Sequence, residues 1–162
     1  MGQSPTYLCY VGSQGWDHAD WSGSFYPDDL PPEWRLTYYN NFFNCVYLRY
    51  EAWSGETIRT LSQWLEDTLP SFRFLLEVNA ANLIEDGPKL QLLAPRTGLV
   101  VGADPTKSAD QLIWIDDYPD AKSMSQQLRL PRSADDSIYA ISSNHRLESM
   151  RLAQTLLEVL GL

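Results

Sequence analysis

Tyr7-Leu8-Cys9-Tyr10-Val11-Gly12-Ser13-Gln14-Gly15-Trp16 is the first apolar run of the chain, and Trp21-Ser22-Gly23 and Phe25-Tyr26-Pro27 follow close behind it. A short apolar run bounded by glycine reads as a buried strand, here Tyr7 to Val11, closed by a turn at Gly12-Ser13-Gln14-Gly15. Residues 16–32 then form a loop rich in aromatics and aspartate. Loops this long inside compact domains are functional or covering elements.

Beyond the loop the apolar periodicity switches repeatedly between helix and strand. Pro31-Pro32 starts a helix whose Trp34, Tyr38 and Phe42, four residues apart, are expected to face a sheet. Cys45 to Tyr50 is a second strand. Ser54 is the expected N-cap of a second helix, with Glu56 in its first turn and Ile58, Leu61, Leu65 and Leu69 on its buried face, ending at Pro70. Phe72, Phe74, Leu76 and Val78 mark a third strand. In residues 80–96 the Gly87-Pro88 step breaks any long helix, and Leu90, Leu92 and Leu93 suit a short one. Gly98 to Val101, Leu112 to Ile115 and Ile138 to Ile141 are strands four, five and six. Asn144 is the expected cap of a last helix with Leu147, Met150, Ala153, Leu157 and Leu160 on one face.

Parallel neighbours need a crossover, and a helix is the usual one, so this alternation predicts an α/β fold with a mainly parallel sheet of about six strands. The 162 residues fit one domain, residues 1–162, with 44% hydrophobic residues to fill its core. Ligands in such folds gather at the C-terminal ends of the strands.

Charge and cysteine usage narrow the function classes. Twelve Lys and Arg against 21 Asp and Glu give a net charge of -9, and no basic run is present to neutralise a row of phosphates, so nucleic acid is not an expected partner. No stretch approaches the length of about 18 apolar residues that a membrane span needs, and Met1 to Pro5 lacks the features of a secretory leader. A cytoplasmic protein with no membrane association is expected. Cys9 and Cys45 sit in apolar runs of neighbouring strands and are expected as buried, reduced thiols.

The run Gly12-Ser13-Gln14-Gly15-Trp16, Trp21-Ser22-Gly23, Phe25-Tyr26-Pro27 resembles the opening motif of the YecE-like family, TIM-barrel proteins of unknown function. The similarity continues through Glu33-Trp34, Tyr38-Tyr39 and Phe43-Asn44, covering about the first fifty residues. Afterwards the chain departs from the family's pattern. Arg49-Tyr50-Glu51-Ala52-Trp53 stands where the family has Asn-Ser-Thr-Phe-Tyr, and Asn79-Ala80-Ala81-Asn82 where it has Thr-His; Asn144 keeps part of the family's last turn. The resemblance implies a TIM-like barrel, and the chain is about eighty to a hundred residues short of one. A partial or truncated TIM-like barrel is therefore expected, with exposed strand edges that call for a cover.

Two functional readings follow. In the first, the chain is a reduced, non-catalytic YecE-like protein acting as an interaction or assembly subunit, with a protein partner or as a homo-oligomer. Its aromatic loop, Trp16, Trp21, Phe25 and Tyr26, is expected first of all to pack against the sheet, as large rings in a long loop do, and is next a candidate binding surface beside Glu51, Glu77, Asn79 and Asn144 at the strand ends. In the second, the strand ends carry a metal-assisted hydrolase or isomerase site. There His18 and His145, after the first and last strands, approach one another at one mouth with Glu51, Glu77, Asp104 and Asp116. No closely spaced ligand pair supports a metal, so neither a metal nor a cofactor is expected. The glycine turn lacks the spacing of a phosphate-binding loop.

Overall fold

The computed structural model describes residues 9–102, 111–130 and 137–162. Tyr7 and Leu8 of the expected first strand, and Asp104, lie outside the described residues. Six strands alternate with helices: β1 (Cys9–Gln14), α1 (Arg35–Asn40), β2 (Cys45–Leu48), α2 (Tyr50–Ser54), α3 (Ile58–Glu66), β3 (Arg73–Glu77), α4 (Gly87–Leu93), β4 (Thr97–Val101), β5 (Leu112–Trp114), α5 (Ala121–Leu128), β6 (Ile138–Ser142) and α6 (Leu147–Leu160). All pairings are parallel, in the order β4-β3-β2-β1-β6-β5, so the first strand lies beside the last. The sheet curls into a half-barrel, as the strand-helix alternation predicts.

The curl gives the sheet two buried faces, which is why β2 and β6 are buried at every position. On the convex side Val11, Val46, Phe74, Leu76 and Ala140 pack under the helices. On the concave side Tyr10, Cys45, Tyr47, Leu75, Tyr139 and Ile141 form a separate core. Tyr10 stacks on Tyr139 at 5.0 Å between ring centroids, and Tyr47 meets the edge of Trp114 at 5.1 Å. The half-barrel is therefore filled by its own aromatic rings. A further strand-bound core of this kind costs no extra chain, because period-two alternation supplies both faces from one strand.

Several local expectations are corrected. β1 runs on to Gln14, so Gly12 to Gln14 are strand and the turn is made at Gly15, whose φ of 76° suits glycine. β2 ends at Leu48, and Tyr50 begins α2. Thr57, not Ser54, caps α3, its hydroxyl accepting from Thr60 N at 3.1 Å; Ser54 closes α2 instead. Ile58 and Leu69 are exposed, and Leu61 takes the buried position. The expected aromatic stripe of α1 is out of phase: Trp34 and Phe42 are 62% and 50% exposed, while Leu36, Tyr39 and Phe43 are buried. α5, absent from the reading of the sequence, is capped by Asp120, which accepts from Ser123 N at 2.7 Å. Cys45 is buried and Cys9 half-buried, and no disulfide links them. Among the described residues no helix is long and apolar enough to cross a membrane.

Candidate functional site

The C-terminal ends of the strands bring the β1 loop against the turn after β6. Gly15 anchors the loop by donating to Tyr47 O at 2.9 Å, and the Tyr26 hydroxyl donates to Trp16 O. Trp21, Phe25 and Tyr26 are 3%, 6% and 1% exposed, so these rings hold the loop to the sheet; Trp16 is the one of the four that stays half-exposed, edge-on to Trp64 at 4.9 Å.

His18 and His145 do meet. Their rings stack with centroids 3.9 Å apart and planes at 13°. His145 sits at a φ of 44°, a left-handed backbone that is uncommon outside glycine. Its carbonyl accepts from the Trp21 indole at 3.1 Å, and its Nε2 lies 3.1 Å from Asp20 Oδ2. His18 Nε2 lies 3.1 Å from Gly15 O. The pair therefore clasps the first loop to the last turn, with its ring nitrogens turned to partners on the loop. No group of three or more His, Cys, Asp or Glu among the described residues is placed to hold a metal ion.

Burial, followed by the charge of the neighbouring His145, holds His18 below the ordinary histidine value of 6.5. In the unfolded chain His18 regains that value, so below it the unfolded state binds more protons than the folded one. The stabilisation is complete above about pH 6.5 and is lost as the pH falls through the lower, folded value. Thermal unfolding followed from about pH 8 to about pH 5 should show a falling midpoint, and His18→Gln should flatten the fall. A midpoint that drops equally in the variant would locate the effect elsewhere.

The carboxylates at the strand ends divide between two networks. Glu77 accepts from the Tyr47 hydroxyl at 2.8 Å and from Tyr50 N at 3.3 Å, and its carbonyl accepts from the Trp53 indole at 2.8 Å. Burial, then Glu77, pushes the Tyr47 hydroxyl above the usual phenol value. Asp116 lies 3.0 Å from Ser142 Oγ through both oxygens and accepts from Asn144 N at 2.9 Å. Asn144 is thus held by its backbone to Asp116 and does not cap α6; Ser142 Oγ accepts from Arg146 N at 2.8 Å instead. Asn79 uses its side chain to accept from Ala81 N at 3.0 Å, and Glu51 is exposed on α2. The two histidines meet each other, whereas Glu77 and Asp116 each bind the chain's own groups. Tyr47, Trp53 and Trp114, which shape this end of the sheet, were not singled out from the sequence; their apolar character reads as core, and only the fold shows them converging.

A curled parallel sheet with its first strand beside its last, and polar residues at the strand ends, is the arrangement of a TIM-type barrel opened on one side. Residues 10–81 match the family model described as protein of unknown function DUF72, which is the YecE-like family. The resemblance seen in the opening motif therefore holds across that segment, through the end of β3 and past Asn79. A DUF72 family protein from Thermotoga maritima, of known crystal structure, is similar with a TM-score of 0.47 and 20% identity, covering 96% of this chain and 63% of that one. The chain spans less than two thirds of the length of that protein. No curated protein matches.

Proposed function

We propose that the chain is a reduced, non-catalytic YecE-like half-barrel that works in the cytoplasm as an interaction or assembly subunit, binding a protein partner or a second copy of itself. The observation that carries this reading is the pair of sheet edges. Among the described residues β4 pairs with β3 alone and β5 with β6 alone, and Val100 on β4 is 40% exposed. Such an edge presents a row of unpaired N–H and C=O groups, a template for another chain. Glu77 and Asp116 support the same reading, each being occupied by hydrogen bonds that order the chain itself.

Light scattering of the purified chain, alone and after recovery with its partner from host extract, tests the proposal. The expected mass exceeds the 18.5 kDa of one chain. Val100→Lys places a charge on the exposed edge strand, a device that discourages edge pairing, and should lower the assembled fraction while leaving the melting curve unchanged. A monomer under every condition, with no complex recovered, would overturn the reading.

A further inference from the structure

A hollow of about 770 Å³ opens between the Pro32–Trp34 turn leading into α1 on one side and α2 with α3 on the other. Trp16 and Trp64 form an aromatic wall, their rings edge to face. Glu33, Glu56 and Asp67 line the hollow, with Arg59 as the one cationic side chain among the lining residues. Asp17 also lines it but is paired with Arg35, which lies over the Tyr26 ring 5.4 Å from its centroid. His18, at the inner end, is held below the ordinary histidine value and adds no compensating charge at neutral pH. A second hollow of about 340 Å³ shares Glu33 and Asp67 and carries the exposed Trp34 and the half-buried Tyr38.

We propose that these two hollows form one docking groove for a basic segment of another protein, which seats Lys or Arg side chains on the tryptophan rings against Glu33, Glu56 and Asp67. Aromatic faces attract cations through their quadrupole, best of all for tryptophan and most often with arginine. Carboxylates beside such faces supply the charged acceptor that a guanidinium or ammonium group needs. A second copy of this chain is a poor occupant, because its net charge is -9 and it has no basic run to offer. The continuation of the groove past Glu33 to Trp34 and Tyr38 gives it more room than one side chain fills, which favours a peptide over a single small cation. The Pro32–Trp34 turn before α1 thus has a use: it holds Trp34 outward, where this groove ends. The groove is built from the loop after β1, the Pro32–Trp34 turn and α1 to α3, and uses neither sheet edge, so it stands or falls separately from the proposed edge assembly.

Titration of the purified chain with an octapeptide of alternating Arg and Gly, followed by tryptophan fluorescence and calorimetry, tests the groove. Glu33→Gln combined with Glu56→Gln should weaken binding about tenfold or more, and raising the salt to about 1 M, where the screening length is about 3 Å, should weaken it further. Glu33→Lys, a change on an exposed side chain, is the second variant and should abolish binding with the melting curve intact. The peptide with Glu in place of Arg should not bind. Equal binding by the carboxylate variants, or by the acidic peptide, would overturn the proposal; so would spermine binding as tightly as the peptide, which would make this a site for small polyamines. Val100→Lys should leave the titration unchanged, which separates failure of the groove from failure of the edge.

Discussion

Gly12→Ala is expected to abolish the native fold. Gly12 pairs with Cys45 where β1 runs beside β2, and a Cβ added there would lie 2.0 Å from Cys45 O, 2.7 Å from Cys45 C and 2.8 Å from the Tyr39 hydroxyl. The first two atoms are backbone and cannot swing aside. The third is fixed as well, since Tyr39 accepts from Ser13 N at 2.9 Å and donates to Cys45 O at 2.7 Å. Relief requires β1 to leave β2, at the middle of the sheet. Ordinary overpacking costs about 1–3 kcal/mol, and a forced break in the central pairing belongs with the exceptional losses above about 4–5 kcal/mol, comparable to the whole stability of a small domain. Soluble expression, circular dichroism and a denaturant titration read the outcome. A variant that folds with the wild-type midpoint would show that the close approach of the two strands is not as described.

Trp21→Ala should cost about 3–5 kcal/mol, the range for removing a large buried aromatic side chain. Its ring meets Phe25 at 5.2 Å and His18 at 4.6 Å between centroids, and its indole N–H is the donor that joins the first loop to His145 across 124 residues of sequence. Trp21→Phe keeps part of the ring contact and loses the hydrogen bond, so it should cost less than the alanine variant. The chemical-denaturation midpoints of the two variants, compared with wild type, give the order directly. An alanine variant as stable as wild type would mean that the loop does not contribute to the core.

What the sequence made legible was set by interactions short in sequence. The strand-helix alternation and the six strands follow from local apolar periodicity, and the opening motif pointed to the family whose model residues 10–81 match. The phase of α1 was lost because its region is apolar on two sides: Trp34, Tyr38 and Phe42, four residues apart, are as consistent with a helical period as the buried Leu36, Tyr39 and Phe43, three and then four apart. Only the sheet decides which side it covers, through the Tyr39 hydroxyl bridging β1 and β2. The boundary between α2 and α3 was hidden for a similar reason. Ser54 and Thr57 both suit a helix cap, and α2 is fixed by a contact far along the chain, the Trp53 indole on Glu77 O.

At the candidate site the meeting of His18 and His145 was foreseeable from a fold that sets its first strand beside its last. The roles of Glu77 and Asp116 were not. A carboxylate at a strand end looks the same in a sequence whether it faces substrate or binds Tyr47 and Asn144. The burial of Trp21, Phe25 and Tyr26 was legible, since large rings in a long loop usually bury themselves, whereas the half-exposure of Trp16 was not.

The pairing of β1 with β6 also sets the order in which the molecule can be made. β1 lies at the centre of the sheet, yet one of its two neighbours is β6, which is made after all the other strands of this sheet. Until then one side of the central strand has no partner, and the ring of Tyr10 lacks the Tyr139 that stacks on it. Contacts so distant in sequence make for slow closure. An emerging chain of this design holds an open central edge from the synthesis of β1 until that of β6, so chaperones that recognise extended apolar segments have a long opportunity at β1.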